Sequence, residues 1–141
     1  MEYRKFGNRY LVRMDPGEEI LTKVKELCET EGITLGEFRG LGAANELELG
    51  LYDVAKKEYF KEEYHGQYEI TSLFGTISEM NGSVYLHAHL SAGMLHGISI
   101  GGHLNRAVIS GTCEMIVEPM EGHVGRAVNE TTGLNDLKFD S

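Results

Sequence analysis

His87 and His89 stand two residues apart in the run Val84-Tyr85-Leu86-His87-Ala88-His89-Leu90. His103 follows in Ile98-Ser99-Ile100-Gly101-Gly102-His103-Leu104. Alternate residues of an extended strand share a face, so Val84, Leu86, Ala88 and Leu90 point one way. Tyr85, His87, His89 and Ser91 point the other. Two imidazoles at this spacing are separated by roughly 7 Å of rise and project in the same direction. Gly101-Gly102 reads as a turn that delivers His103. Three histidines carried by a strand and the turn beyond it can hold a tetrahedral metal with one position open. The donors are imidazole nitrogens, which suit zinc, copper, nickel or iron, with zinc as the default. Such a site can bring the pKa of bound water towards neutrality, so metal-dependent hydrolysis is the chemistry it would permit. No motif names a substrate, and metal binding without catalysis is the leading expectation, with a metal-free protein-interaction module as an alternative.

Other residues are weighed against this set. A cupin site needs a glutamate shortly after HxH, and Leu90-Ser91-Ala92-Gly93-Met94 has none. His96 reads as a loop histidine, with a role as a fourth ligand or a partner behind the ligands as the sharper alternative. Glu114 lies in an apolar strand, where a buried carboxylate needs an arginine or backbone amides. Its functional alternative is a general base beside metal-bound water. Arg39 and Arg106 are candidate partners for an anion or carboxylate. His65 and His123 have no spacing that assigns them a role. Ser91, Ser99 and Ser110 lie in no GxSxG elbow.

The histidines need strands to carry them. Tyr10 to Met14 reads as a first strand. Asp15-Pro16-Gly17-Glu18-Glu19 then opens a helix, with Asp15 as N-cap and Pro16 at the first helical position. Ile20, Leu21, Val24, Leu27 and Cys28 form its buried stripe, and Gly32 ends it. Ile33 to Leu41 is extended. In Gly40-Leu41-Gly42-Ala43-Ala44 backbone can approach backbone or a ligand closely. Glu46 to Asp53 alternates with its leucines inward, and Glu58 to His65 pairs with it as a hairpin. Tyr68 to Met80 places Ile70, Phe74 and Met80 on one face and Leu73 and Ile77 on the other. Asn81-Gly82 is a hairpin turn leading into the histidine strand. Asn105 to Val117 is the last core strand, with Ile109, Cys113, Met115 and Val117 on one face.

The sum is one main helix against a mixed, mostly antiparallel sheet of about seven strands, an α/β chain of the α+β type. Residues 1–141 form a single domain, and the tail 118–141 wraps the surface or partly frays. One helix covers only part of such a sheet. The remaining apolar face, including Phe74 and Ile77, predicts burial in an oligomer.

Charge narrows the partners. Thirteen Lys and Arg against 22 Asp and Glu give a formal net charge of -9, which repels phosphate backbones unless the basic residues cluster. Lys56, Lys57 and Lys61 are interleaved with Glu58, Glu62 and Glu63. The charged N-terminus and the lack of a long apolar run predict a cytoplasmic protein with neither signal peptide nor membrane span. Cys28 and Cys113 are predicted to be buried, reduced thiols.

With these residues in view, the chain resembles the PPC (plants and prokaryotes conserved, DUF296) domain. The residues that carry the likeness are Gly40-Leu41-Gly42-Ala43, the Leu47-Leu49-Leu51-Tyr52-Asp53 strand, Leu73-Phe74-Gly75-Thr76-Ile77, His87-Ala88-His89-Leu90, Gly101-Gly102-His103-Leu104 and Glu114. It runs from about Tyr10 to Val117 and continues weakly into Arg126 and Thr132-Gly133-Leu134. The resemblance implies a homotrimer with a metal, zinc above others, at His87, His89 and His103. A water, small anion or small molecule would take the open position, facing a cleft between subunits. The family also carries a DNA-binding label, chiefly through plant members with AT-hooks. This sequence has no Arg-Gly-Arg-Pro hook, so the resemblance implies no nucleic-acid-binding residue here.

Overall fold

The computed structural model describes residues 1–140. The chain runs β1 (Glu2–Phe6), β2 (Arg9–Met14), α1 (Ile20–Glu31), β3 (Gly36–Asp53), β4 (Glu58–Met80), β5 (Ser83–Gly93), β6 (Ser99–Pro119), β7 (Gly125–Val128) and β8 (Asn135–Lys138). Six strands make one sheet in the order β1-β2-β6-β3-β4-β5, and β6 also pairs with β5. That extra pairing closes β3, β4, β5 and β6 into a ring. Every ladder among the described residues is antiparallel, so the mixed character expected of the sheet is not seen.

The inner face of the sheet and the stripe of α1 share one core. Ile20, Val24, Leu27 and Cys28 of the helix join Val12, Phe38, Leu47, Ile77, Leu90, Ile109 and Met115 there. Ile109, Cys113, Met115 and Val117 are all buried, as their alternation predicts. Cys28 and Cys113 are buried free thiols, and burial raises their pKa values to about 12 and about 11.

The helix starts later than its sequence signals suggest. Asp15 is not the cap: Gly17 turns the chain at φ 87°, and the first helical residue is Ile20. Glu19 caps instead, its carboxylate accepting from the backbone N–H groups of Leu21 at 3.0 Å and Thr22 at 2.9 Å. The same carboxylate accepts from the Ala107 N–H at 3.0 Å, which ties the helix start to β6 a few residues beyond His103.

The expected strands 33–41 and 46–53 merge into β3, and 58–65 and 68–80 merge into β4. The small-residue stretch is where β3 bends. Its register shifts between Gly40 and Gly42, and a Cβ on Gly40 would lie 2.7 Å from the Glu114 carbonyl oxygen. The close approach is therefore to backbone. A second shift, between Ile70 and Ser72, changes the alternation of β4. Ile70, Leu73 and Ile77 are consequently all buried, while Phe74 is 47% exposed. Ile77 thus belongs to the core of this chain rather than to an unpartnered face. Leu11 and Leu41 are also exposed.

Gly101-Gly102 is not a turn. Both glycines lie within β6, opposite Ser91 and Leu90 of β5. The chain reverses earlier, at the 3-10 turn Leu95–Gly97. The tail carries the β7–β8 hairpin, and the carbonyl of Val124 accepts from the Glu79 N–H of β4.

Candidate metal centre

Strand register brings the three histidines together. His89 of β5 is the direct cross-strand partner of His103 of β6. His87 precedes His89 by two residues on the same face. Thr76 and Phe74 of β4 stand opposite His87 and His89 on the other side. Ring centroids are 5.1 Å apart for His87 and His89, 5.1 Å for His87 and His103, and 5.7 Å for His89 and His103. One nitrogen from each ring lies within 4.8 Å of the others.

Glycines set how closely the walls approach. A Cβ on Gly102 would lie 2.6 Å from the Gly50 carbonyl oxygen, and one on Gly50 would strike the Tyr59 phenol. Tyr59 meets the His103 ring edge-on at 5.8 Å between centroids. Only bare backbone at these two positions lets β3 and β6 close while Tyr59 flanks the cluster.

Burial, together with the neighbouring His89 and Arg126, lowers the pKa of His87. Burial and the other two histidines depress His103 to about 4. The two rings therefore stay neutral at physiological pH, the form in which imidazole binds a metal. A tetrahedral zinc with bonds of about 2.0–2.1 Å needs ligand nitrogens roughly 3.3 Å apart. Three neutral imidazole nitrogens gathered within 4.8 Å of one another are a donor set whose chemistry fits such an ion.

The histidines line a cavity of about 730 Å³, within the range of small-molecule sites. Leu51 and Val54 wall one side, and Leu134 and Leu137 of the tail wall another. Arg126 of β7 lies on the same cavity. Its Nε donates to the buried Ser78 hydroxyl at 2.8 Å, its NH1 to the Asn135 carbonyl at 2.8 Å and its NH2 to the Thr76 hydroxyl at 3.4 Å. Its guanidinium carbon sits 4.5 Å from the Tyr85 ring centroid. Sequence reasoning missed this residue as part of the site. The only signals were a weak Gly125-Arg126-Ala127-Val128 alternation and the faint family likeness there.

The remaining candidates stand elsewhere. His96 is exposed in the 3-10 turn at φ 66° and does not line the cavity. Arg39 is the cross-strand partner of Phe74, so it lies two strands from His89, about 10 Å at ordinary strand spacing. Its guanidinium engages Glu37 and Glu118. Glu114 is exposed near the other end of β6, opposite Arg13 and Leu41. Arg39 and Glu114 line a separate hollow with Leu11 and Leu41. Arg106 pairs with Glu46.

Comparison with known proteins agrees with this fold. A protein from Bacteroides thetaiotaomicron, provisionally described as DNA-binding, is 36% identical with a TM-score of 0.94, covering 98% of this chain and 96% of its own. A metal-containing protein from Archaeoglobus fulgidus is 34% identical with a TM-score of 0.89, covering 98% and 97%. A plant- and prokaryote-conserved protein from Pyrococcus horikoshii is 31% identical with a TM-score of 0.86, covering 99% and 96%. No curated protein matches the sequence. No helix among the described residues is long and apolar enough to cross a membrane. The model of the Plants and Prokaryotes Conserved domain matches residues 1–121, and the chain belongs to that family.

Proposed function

We propose that this protein is a homotrimeric, cytoplasmic metal-binding protein that holds a divalent transition ion, zinc first among them, through His87, His89 and His103. The observation that carries the reading is the meeting of three imidazole nitrogens within 4.8 Å on the wall of a cavity. It is the one cluster of its kind among the described residues. The metal-containing description of the Archaeoglobus relative supports it. Bound there, a zinc ion would supply a Lewis acid at a position left open to the cavity. The exposed Leu11, Leu41 and Phe74 support assembly of copies through the outer sheet face.

The test is metal content per chain by mass spectrometry, on tag-free protein purified without added metal or chelator. The expected result is near one transition metal per chain, lost in His103→Ala. A folded protein without metal, in which added zinc also fails to bind, overturns the reading.

A DNA-associated role is the second reading, favoured by the description of the Bacteroides relative. The charge of -9 opposes it, and Arg9, Arg13, Arg39 and Arg106 are each paired with carboxylates. A gel shift at low ionic strength checks it, and no retardation is the expected outcome.

A further inference from the structure

Arg126 is, among the described residues, a cation without an anion. Among the described residues, no carboxylate lies within salt-bridge distance of its guanidinium, in a chain with 22 acidic residues. Its partners are neutral: two hydroxyls, one carbonyl and the face of Tyr85. These contacts fix the group but do not neutralise it. Three N–H groups are engaged, and a guanidinium has five, which leaves a donor on each terminal nitrogen. The anchoring also fixes where it stands. Thr76 is the cross-strand partner of His87, and Ser78 is the partner of Tyr85. Arg126 therefore spans the row of His87 and the next row, about 7 Å along the strand.

We propose that this cavity binds a small organic acid whose carboxylate is held by Arg126 and whose apolar body lies against the leucine and tyrosine walls. The inference deepens the reading of the histidine cavity as a binding site, and its anion contact does not depend on which metal is present. Three observations select the class. A fixed guanidinium recognises a planar carboxylate through paired hydrogen bonds. Leu51, Val54, Leu134 and Leu137 offer apolar surface to the remainder of the ligand. The charge count selects a single negative charge: Arg126 is the one Lys or Arg on the lining, and Asp136 lines it as well. In the metal-free form, a phosphate ester would bring nearly two negative charges to this one cation and to the neighbouring Asp136.

The experiment uses the full-length protein in metal-free and zinc-loaded forms, with acetate, hexanoate, benzoate and the uncharged benzamide as probes. Binding is followed by calorimetry and by the NMR signal of the Arg126 Nε–H. The expected result is that benzoate and hexanoate bind, acetate binds more weakly, and benzamide is weaker than benzoate by about tenfold or more. The Arg126 signal shifts with the acids. Arg126→Gln removes the preference for benzoate over benzamide, and Arg126→Lys keeps part of it. Arg126 also secures the tail hairpin, so Leu51→Glu serves as a second variant. It leaves the Arg126 contacts intact, places a competing carboxylate on the exposed wall and is expected to weaken benzoate by about tenfold or more. The inference is overturned if no acid binds in either form, if benzamide equals benzoate, or if benzoate affinity survives both Arg126→Gln and Leu51→Glu. Acid binding to a protein that takes up no zinc refutes the metal reading alone. Zinc uptake without acid binding refutes this inference alone.

Discussion

His89 and His103 face each other as direct cross-strand partners, with ring centroids 5.7 Å apart, on the two strands whose pairing closes the sheet. A metal held there would link β5 to β6 at the point of closure. Unfolding separates the strands and disperses the ligands, so an ion bound to the folded state stabilises it by mass action. At free zinc about a hundredfold above the dissociation constant, the gain is about 2.7 kcal/mol. Thermal melts are expected to rise by roughly 10 °C with zinc, to fall back with chelator, and not to respond in His89→Ala. A zinc-independent melting temperature in the wild type would remove the ion from the fold's energetics.

The glycines beside the cluster make a steric prediction. A side chain at Gly102 would meet the Gly50 carbonyl, so β3 and β6 would have to separate where His103 is held. Gly102→Val is expected to lower stability by about 1–3 kcal/mol through overpacking. It is also expected to weaken zinc binding, although no ligand has been changed. Denaturant unfolding and zinc titration of one sample check both effects. Wild-type stability together with wild-type affinity would show that the contact is not tight.

These same glycines show how far sequence alone reaches. The histidine set was legible because alternation fixes which residues share a face, and His87 and His89 obey it without interruption. The route of His103 was not. A Gly-Gly pair favours a turn on local grounds, yet Gly101 and Gly102 lie in β6 because the neighbouring backbone needs their missing side chains. Register shifts near Gly40 and Ile70 are likewise invisible to a strict period of two, which groups Ile70 with the exposed Phe74 although Ile70 is buried alongside Leu73 and Ile77. Arg126 escaped notice because its role depends on Ser78, Thr76 and Tyr85, which lie far away in sequence. Asp15 had the right chemistry for a cap, but Gly17 turns the chain and leaves the position to Glu19.

The histidine pKa values give a pH dependence with a definite sign. His103 lies at about 4 when folded, against 6.5 for an ordinary histidine, and His87 is also lowered. The unfolded chain therefore takes up protons that the folded one refuses. The contribution of these two histidines to the stability of the metal-free protein is complete above about pH 6.5 and is lost as the pH falls from there towards 4. Melting of chelator-treated protein across this range is expected to show the decline, with a shallower slope in His103→Gln. An equal slope in that variant would place the acid sensitivity in the carboxylates.

The outer sheet face yields the last prediction. Phe74 is the cross-strand partner of His89 on one side and of Arg39 on the other, and it is 47% exposed. Leu11 and Leu41 are 53% and 54% exposed and line the adjoining hollow with Arg39 and Glu114. Burying such side chains between copies contributes about 1.5–3 kcal/mol for each one fully removed from water. A charge placed there would instead have to be buried at the interface without a partner. In light scattering coupled to size exclusion, the wild type is expected to elute as a trimer. Phe74→Glu is expected to shift it towards monomer, with zinc still bound because all three ligands lie on one chain. A wild type that is monomeric at micromolar concentration would overturn the assembly. A variant that loses both assembly and zinc would mean that the site needs its neighbours to hold its shape.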